Sequence, residues 1–409
     1  MPTLRNEEFN MTKPVQPPLL SGIRVLDFGR YIAGPYCATL LGEYGADVIR
    51  IEKRTGGEDR YIAPIAASGE GGMFMQINRN KRSLTLDPFT AAGREIVAKL
   101  VRSADIVVAN LPEPALKQMG LDYDTLKTIK PDIILVTSSA FGATGPLAKN
   151  VGFDGVAQAM SGVVYMTGQP DEPYRAAVNW VDFGTALHCA LGAMAALMAR
   201  AQTGQGQVVT GSLLATAVSF NNGALIEQAV AAPNRVPTGN RGQTAAPVDI
   251  FRTQDGWILV QVVGQPLFER LAKLIGEPAW LQDPRFADDE LRGQHGELIS
   301  ARVAEWCTER TLAQAFQQLG DAKIPCGPVL SPQQALEHPQ MHATEMLTPL
   351  PFPGMPHPAP VTRGAFTLSD TPKVPLQRAP LLGEHTDEVL GELGYAAAEI
   401  AQLRAAEVV

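Results

Sequence analysis

The sequence predicts an α/β protein, with a parallel sheet in a larger domain and a smaller α+β domain beside it, and three observations carry that reading. Short apolar runs alternate with stretches of helical periodicity through the first half of the chain. A hairpin pattern and a mainly helical segment follow in the second half. The chain has 409 residues, and a single hydrophobic core rarely grows past about 250–300 residues, so two packed units are expected.

Residues 23–28 (IRVLDF) form the first apolar run, followed by RYIAGPY as a turn, a helical pattern through ATLLGEYGA, and a second run, DVIRIE. A strand, turn, helix, strand unit of this kind closes a parallel pair through a right-handed crossover. The pattern recurs downstream. A helix at about 90–103 leads to ADIVVANL, and one at about 114–128 leads to DIILVTSSAFG. The result is a large Rossmann-like domain whose strand-end loops, rich in small residues and Asn, lie where open α/β sheets bind ligands.

A long helix from about 184 to 202 stops at TGQGQ, whose glycines suit a helix end, and QVVTGSLL reads as a strand entering another helix. Residues 229–246 are rich in Pro, Gly, Asn and Thr and predict a linker or an ordered functional loop. VDIFRTQDGWILVQVV predicts a hairpin turning at Gln254–Gly256, and residues 265–320 are mainly helical. A proline-rich stretch at 347–361 precedes a tail that closes in a short helix near 386–405. The expected organisation is an N-terminal arm over 1–19, a large domain over 20–225, a small domain over 226–329, and a segment over 330–409 returning to the large domain.

A net charge of −8 argues against a broad nucleic-acid or anionic-membrane surface, which needs basic stripes to displace counterions. Any anionic ligand must therefore meet a local basic pocket. Cys37, Cys189, Cys307 and Cys326 lie far apart without CxxC spacing, and the six histidines form no ligand pattern with them, so neither structural zinc nor a disulfide framework is expected. The polar, proline-rich first twenty residues lack the apolar core of a secretion signal, which predicts the cytoplasm. The apolar stretch Thr185–Met198 reads as a buried helix too short to span a bilayer.

Taken alone, VLDF…GEYGADVIRIE imitates a dinucleotide-binding unit, but its turn reads GRYIAGP and lacks the GxGxxG spacing that lets a backbone approach a pyrophosphate. The full set of phrases points elsewhere. VLDFGRYIAGPYCATLLGEYGADVIRIEK, NRNKRSLTLD, ADIVVANLPEPALKQMGLDY, GFDGVAQAMSG, VDFGTALH, TGNRG, IPCGPV and RAPLLGEHTDEVL run in order over nearly the whole chain. Together they resemble the family III CoA transferases of the CaiB/BaiF group, which includes formyl-CoA:oxalate and carnitine CoA transferases. The closing phrase is especially similar to formyl-CoA transferase.

The resemblance implies a transferase that moves CoA between carboxylic acids, with the nucleophile of VDFGTALH falling on Asp182. A carboxylate suits that role because it attacks a thioester to give a mixed anhydride, which the released thiolate reopens as an aspartyl-CoA thioester. No metal and no cofactor beyond CoA itself is then expected. Asp182 reads alternatively as an N-cap of the following helix. The resemblance also implies a glycine-containing loop from the small domain that closes over the nucleophile and supplies amides to an oxyanion. Gly239, Asn240, Arg241, Gly242 and Gln243 match that region, without the consecutive glycines of formyl-CoA transferase; a plain interdomain linker is the alternative. Asp154, after Phe153 in GFDGVAQ, matches an acidic residue near the family nucleophile, placed either to tune Asp182 through like-charge proximity or to cap a helix.

For CoA, the resemblance implies contacts from Arg30, Tyr31, Ala33, Lys53 and Leu86, and from Asn110, Leu111 and Ala115, with Lys53 the phosphate candidate. Two basic family contacts fall on Phe89 and Gln118, so Lys81 and Arg82 are nearby alternatives, and each of these cations reads equally as surface charge. His188 reads as a buried structural histidine almost two turns beyond Asp182. Arg175 and Arg241 are candidates for gripping a distal carboxylate. The family's interlocked homodimer is the expected assembly, with an acyl-CoA and a small carboxylic acid as partners. An α-methylacyl-CoA racemase is the nearest rival, but its base histidine is replaced by Phe153, which has no proton to exchange. A non-catalytic CoA-binding protein is the rival of another class.

Overall fold

The computed structural model describes residues 17–409, so most of the expected 1–19 arm lies outside the described residues. The chain forms two compact units. The first runs to Asp154 and takes in Trp180–Thr216 and Met346–Val409; the second comprises Gly155–Asn179 and Ala217–Glu345. The smaller unit thus extends beyond the 226–329 expected from sequence and claims 155–179. That segment is tied into it locally, since the Gly239 N–H donates to the Gly168 carbonyl at 2.7 Å and Asn221 Nδ2 donates to the Ser161 carbonyl at 2.9 Å.

The first unit holds the predicted parallel sheet. Its strands are β1 (Arg24–Asp27), β2 (Asp47–Glu52), β3 (Lys81–Thr85), β4 (Ile106–Val108) and β5 (Ile134–Ser139), followed by Val208–Ser212. All pair in parallel in the order β3, β2, β1, β4, β5, Val208–Ser212. The order reverses between β1 and β4, and such a switch point leaves a crevice beyond the strand ends where ligands bind. Both faces are covered, which explains the near-continuous apolar runs. Val25, Val48 and Ile106 pack toward α1 (Ala33–Glu43) and the Trp180–Thr203 helix, whereas Leu26, Ile49 and Val107 join Ile96, Leu100 and Leu390 on the other face.

Several elements differ from expectation. The helix at 114–128 is two, Glu113–Met119 and Tyr123–Ile129, because Gly120 takes a left-handed φ of 72° and Asp122 accepts from the Thr125 N–H to start the second. Strand β3 was hidden in the polar string KRSLT. The proline-rich stretch contains an antiparallel pair, Leu347–Leu350 with Ala359–Thr362, and the tail is two helices, Thr386–Glu392 and Ala397–Ala405. The long helix Trp180–Thr203 has 24 residues, so the expectation that its apolar part is too short to span a bilayer does not hold by length. Ala186, Cys189, Ala190 and Ala193 of this helix nevertheless face the sheet core.

RAPLLGEHTDEVL clasps the edge of the sheet. The Gly383 N–H donates to Ser83 Oγ at 3.0 Å, the Ser83 N–H to His385 Nδ1 at 3.2 Å, and the Thr85 N–H to Thr386 Oγ1 at 3.2 Å. Edge strand β3 is thereby covered. In the second unit the predicted hairpin is present as Val248–Arg252 with Trp257–Gln261, extended by Cys326–Pro328 into an antiparallel sheet. Phe251, Ile258 and Val260 pack there against helices through Phe268, Leu271 and Trp306.

Candidate active site

At the switch point the β1–α1 turn is gripped from β4. Asn110 Oδ1 accepts from the Arg30 N–H at 2.6 Å while its Nδ2 donates to the Arg30 carbonyl at 2.9 Å. This bracket holds Tyr31 at a φ of 58°, a region that non-glycine residues enter only at a cost. Glycine is required alongside, because a Cβ on Gly34 would lie 2.7 Å from Asn110 Oδ1. The glycines of GRYIAGP thus serve the turn's own packing.

Beneath the turn lies a buried charge network absent from the sequence expectations. Asp27 Oδ1 accepts from the Gly29 N–H at 2.8 Å, and Arg50 donates to the Gly29 carbonyl at 3.0 Å and to Asp59 Oδ2 at 2.6 Å. Asp59 Oδ1 in turn accepts from Arg30 Nε at 3.1 Å. Lys81, expected near the ligand or at the surface, is buried here instead, with Nζ donating to Asp27 Oδ2, Asn78 Oδ1 and the carbonyls of Pro35 and Ile77 within 3.0 Å. Burial lowers its pKa to about 8, against the pull of Asp27. Arg82 is likewise engaged, by Asp47, Glu388 and Glu392. Lys81, wholly buried, is not spare for a phosphate.

Asp182 is the third residue of the long helix and does not cap it. Asp154 does: its Oδ2 accepts from the Val181 N–H at 2.7 Å and the Asp182 N–H at 3.1 Å. The cap comes from a residue nearly thirty positions upstream, which no local signature reveals. Both aspartates are buried, and burial, then the Asp154 charge, pushes the Asp182 pKa up to about 7. Aromatic contacts join this helix start to the switch point. Phe153 meets Tyr31 edge to face at 5.2 Å, and Phe183 meets Tyr36 at 4.9 Å. Arg30, Tyr31, Asn110, Phe153, Asp154 and Asp182 are thus brought together. A buried carboxylate at a helix start, with its pKa raised toward neutrality, is the kind of group that marks a candidate functional site.

The model of CoA-transferase family III matches residues 20–386. The chain is a family III CoA transferase. It is 31% identical to the succinyl-CoA:D-citramalate CoA-transferase of Chloroflexus aurantiacus, covering 97% of this chain and 99% of that one. It is 32% identical to a formyl-CoA:oxalate CoA-transferase of Rhodopseudomonas palustris, covering 94% and 96%. The crystal structure of a CaiB/BaiF family protein from Brucella suis superposes with a TM-score of 0.81 at 30% identity, covering 92% of this chain and all of the other.

In this transferase the remaining matched residues are scattered in character. Lys53, at the end of β2, is half-exposed and bonded to Glu58 Oε1 at 2.5 Å. Leu111 and Ala115 are partly buried, and Phe89 and Gln118 are exposed. Ala33 and Leu86 are buried in the fold, so their side chains act through packing. His188 is exposed rather than buried, its Nδ1 lying 3.5 Å from Thr216 Oγ1. The loop Gly239–Gln243 belongs to the second unit. Its amides at Gly239, Arg241 and Gly242 already donate to the carbonyls of Gly168, Thr238 and Val248, so the expectation of available oxyanion donors at those three amides is not met in this conformation. Arg175 is exposed and donates to the Ala176 carbonyl at 2.9 Å, also within the second unit.

Proposed function

We propose that this transferase moves CoA from an acyl-CoA to a free carboxylic acid, a small dicarboxylate being the acceptor or donor acid, with Asp182 as the covalent nucleophile. The observation that carries the reading is the buried Asp182 carboxylate with its pKa raised to about 7. A carboxylate of raised basicity is a better nucleophile than an ordinary one, and a pKa near 7 still leaves an ionised fraction to attack at neutral pH. The names of the relatives, which pair succinyl-CoA or formyl-CoA with citramalate or oxalate, support small dicarboxylates.

Asp182 attacks the thioester carbonyl, and CoA thiolate leaves as the mixed anhydride forms. The thiolate then attacks the Asp182 carbonyl, releasing the donor carboxylate and leaving an aspartyl-CoA thioester. The acceptor carboxylate attacks the aspartyl-CoA carbonyl, expelling CoA thiolate and forming a second mixed anhydride. The thiolate then attacks the acceptor's acyl carbon, which gives the new CoA ester and releases the Asp182 carboxylate. No electrons and no further cofactor enter this balance. Asp154 fixes the Asp182 backbone and disfavours its ionised form, and Phe153 offers no proton for a racemase reaction. Arg30 and Lys53 bind the CoA phosphates, Asn240 and Gln243 complete the oxyanion loop, and the chain works in the cytoplasm as an interlocked homodimer.

The test is Asp182→Asn. CoA exchange between succinyl-CoA and a panel of dicarboxylates, followed by chromatography of the CoA esters, should fall by on the order of 10³-fold or more. Hydroxylamine trapping during turnover should modify Asp182 of the wild type alone. Wild-type exchange rates in the variant overturn the mechanism.

A further inference from the structure

The two cations assigned above to the CoA phosphates already share an anion. Glu58 Oε1 accepts from Lys53 Nζ at 2.5 Å, and Glu58 Oε2 accepts from Arg30 Nη2. One carboxylate divides its two oxygens between two cations, which is how a phosphate group would meet them. Arg30 also holds Asp59, but the two acids differ in what surrounds them. Asp59 is fully buried and gripped by Arg50, whereas the Glu58 side chain is 61% exposed. A buried pair resists replacement; an exposed pair is weak and open to exchange.

The intervening chain is a short glycine turn that brings Glu58 back against Lys53. Lys53 and Glu58 are separated by Arg54, Thr55, Gly56 and Gly57, with Gly56 at a left-handed φ of 76°. A Cβ on Gly57 would lie 2.4 Å from Asp59 Oδ1, so the second glycine is what lets Glu58 and Asp59 sit side by side on opposite duties. The 3′-phosphate of CoA, a monoester, carries about −1.5 to −2 charge at pH 7 and the diphosphate about −1 on each of two phosphates, against a single −1 for a carboxylate, so the exchange runs toward CoA at either group.

We infer that Glu58 is a built-in occupant of the phosphate subsite, holding Arg30 and Lys53 in position in the empty enzyme and yielding to a phosphate of CoA. The inference rests on the reading that CoA binds through these two cations. CoA affinity is then the net of phosphate binding and Glu58 release, and removing the Glu58 charge tightens binding.

Calorimetric titration of free CoA into wild type, Glu58→Gln, Lys53→Met and the double variant tests this. Glu58→Gln should bind CoA about 2–5-fold tighter than wild type, the scale of an exposed ion pair. The same change in the Lys53→Met background should yield a smaller gain, because half of the exchange is gone. With 3′-dephospho-CoA as the probe, a lost gain assigns the exchange to the 3′-phosphate and a retained gain to the diphosphate. A Glu58→Gln protein that binds CoA no tighter than a CoA-binding wild type overturns the Glu58 assignment alone. A wild type that binds no CoA overturns the functional reading, and this inference with it.

Discussion

Two buried aspartates of the first unit carry opposite surroundings. Asp27, at the end of β1, meets Lys81 at 2.8 Å, Arg50 at 3.3 Å and the Gly29 N–H at 2.8 Å. Asp182, at the start of the long helix, has Asp154 as its charged neighbour, and both influences on it, burial and that charge, oppose ionisation. A carboxylate buried to hold a turn is compensated on every side. Asp182, the nucleophile of the proposed mechanism, is buried without such compensation, which costs stability.

The largest effect should come from breaking the compensated side. Lys81→Met strands Asp27 beside Arg50 alone and should cost about 3–5 kcal/mol in urea unfolding at pH 7, the scale for removing one partner of a buried pair. Because the folded pKa of Lys81, about 8, lies below the ordinary 10.5, the folded state binds fewer protons than the unfolded state between those values. Lys81 therefore makes wild-type stability rise with pH across that window. Lys81→Met should lack this rise; an unchanged slope would show that Lys81 titrates normally.

Relieving the uncomfortable side should do the reverse. The Asp182 pKa is raised from 3.8 to about 7, so its penalty is full above pH 7 and gone below about 4. Asp182→Asn should therefore gain roughly 2–4 kcal/mol at pH 8, from about three pKa units at 1.36 kcal/mol each less the discount for partial relaxation. The gain should vanish by pH 4, while activity is abolished. Equal stability at pH 8 would mean that Asp182 is not strained.

The smallest change tests the coupling itself. Asp154→Asn keeps an oxygen for the Val181 and Asp182 amides but drops the charge. The pH–rate profile of CoA transfer should shift downward by roughly half to one unit, with the fold intact. A superimposable profile would reduce Asp154 to a cap.

Much of the fold was legible because apolar alternation reports burial directly. DVIRIE coincides with β2, and ADIVVANL contains β4. β3 was not legible, since KRSLT spends its polar letters on a buried lysine, on Arg82 ion pairs and on a Ser83 hydroxyl bonded to the Gly383 amide, three partners distant in sequence. Asp154 was legible as an acid near Asp182, yet its role as the cap of another helix was not. The glycines of the Gly239–Gln243 loop were legible as loop residues, whereas the bonds that occupy their amides depend on Gly168 and Val248 coming into register.

By itself the sequence determined the alternation of strands and helices, the family, and the residue types available for the chemistry, because periodicity and motif order are properties of the string. Only the tertiary structure decided that Lys81 is buried in support of a turn, that Asp154 holds Asp182, and that Glu58 sits between Arg30 and Lys53. Each of these is a pairing of charges or hydrogen-bonding groups, whose worth depends on distance and burial. Neither exists until the chain has folded.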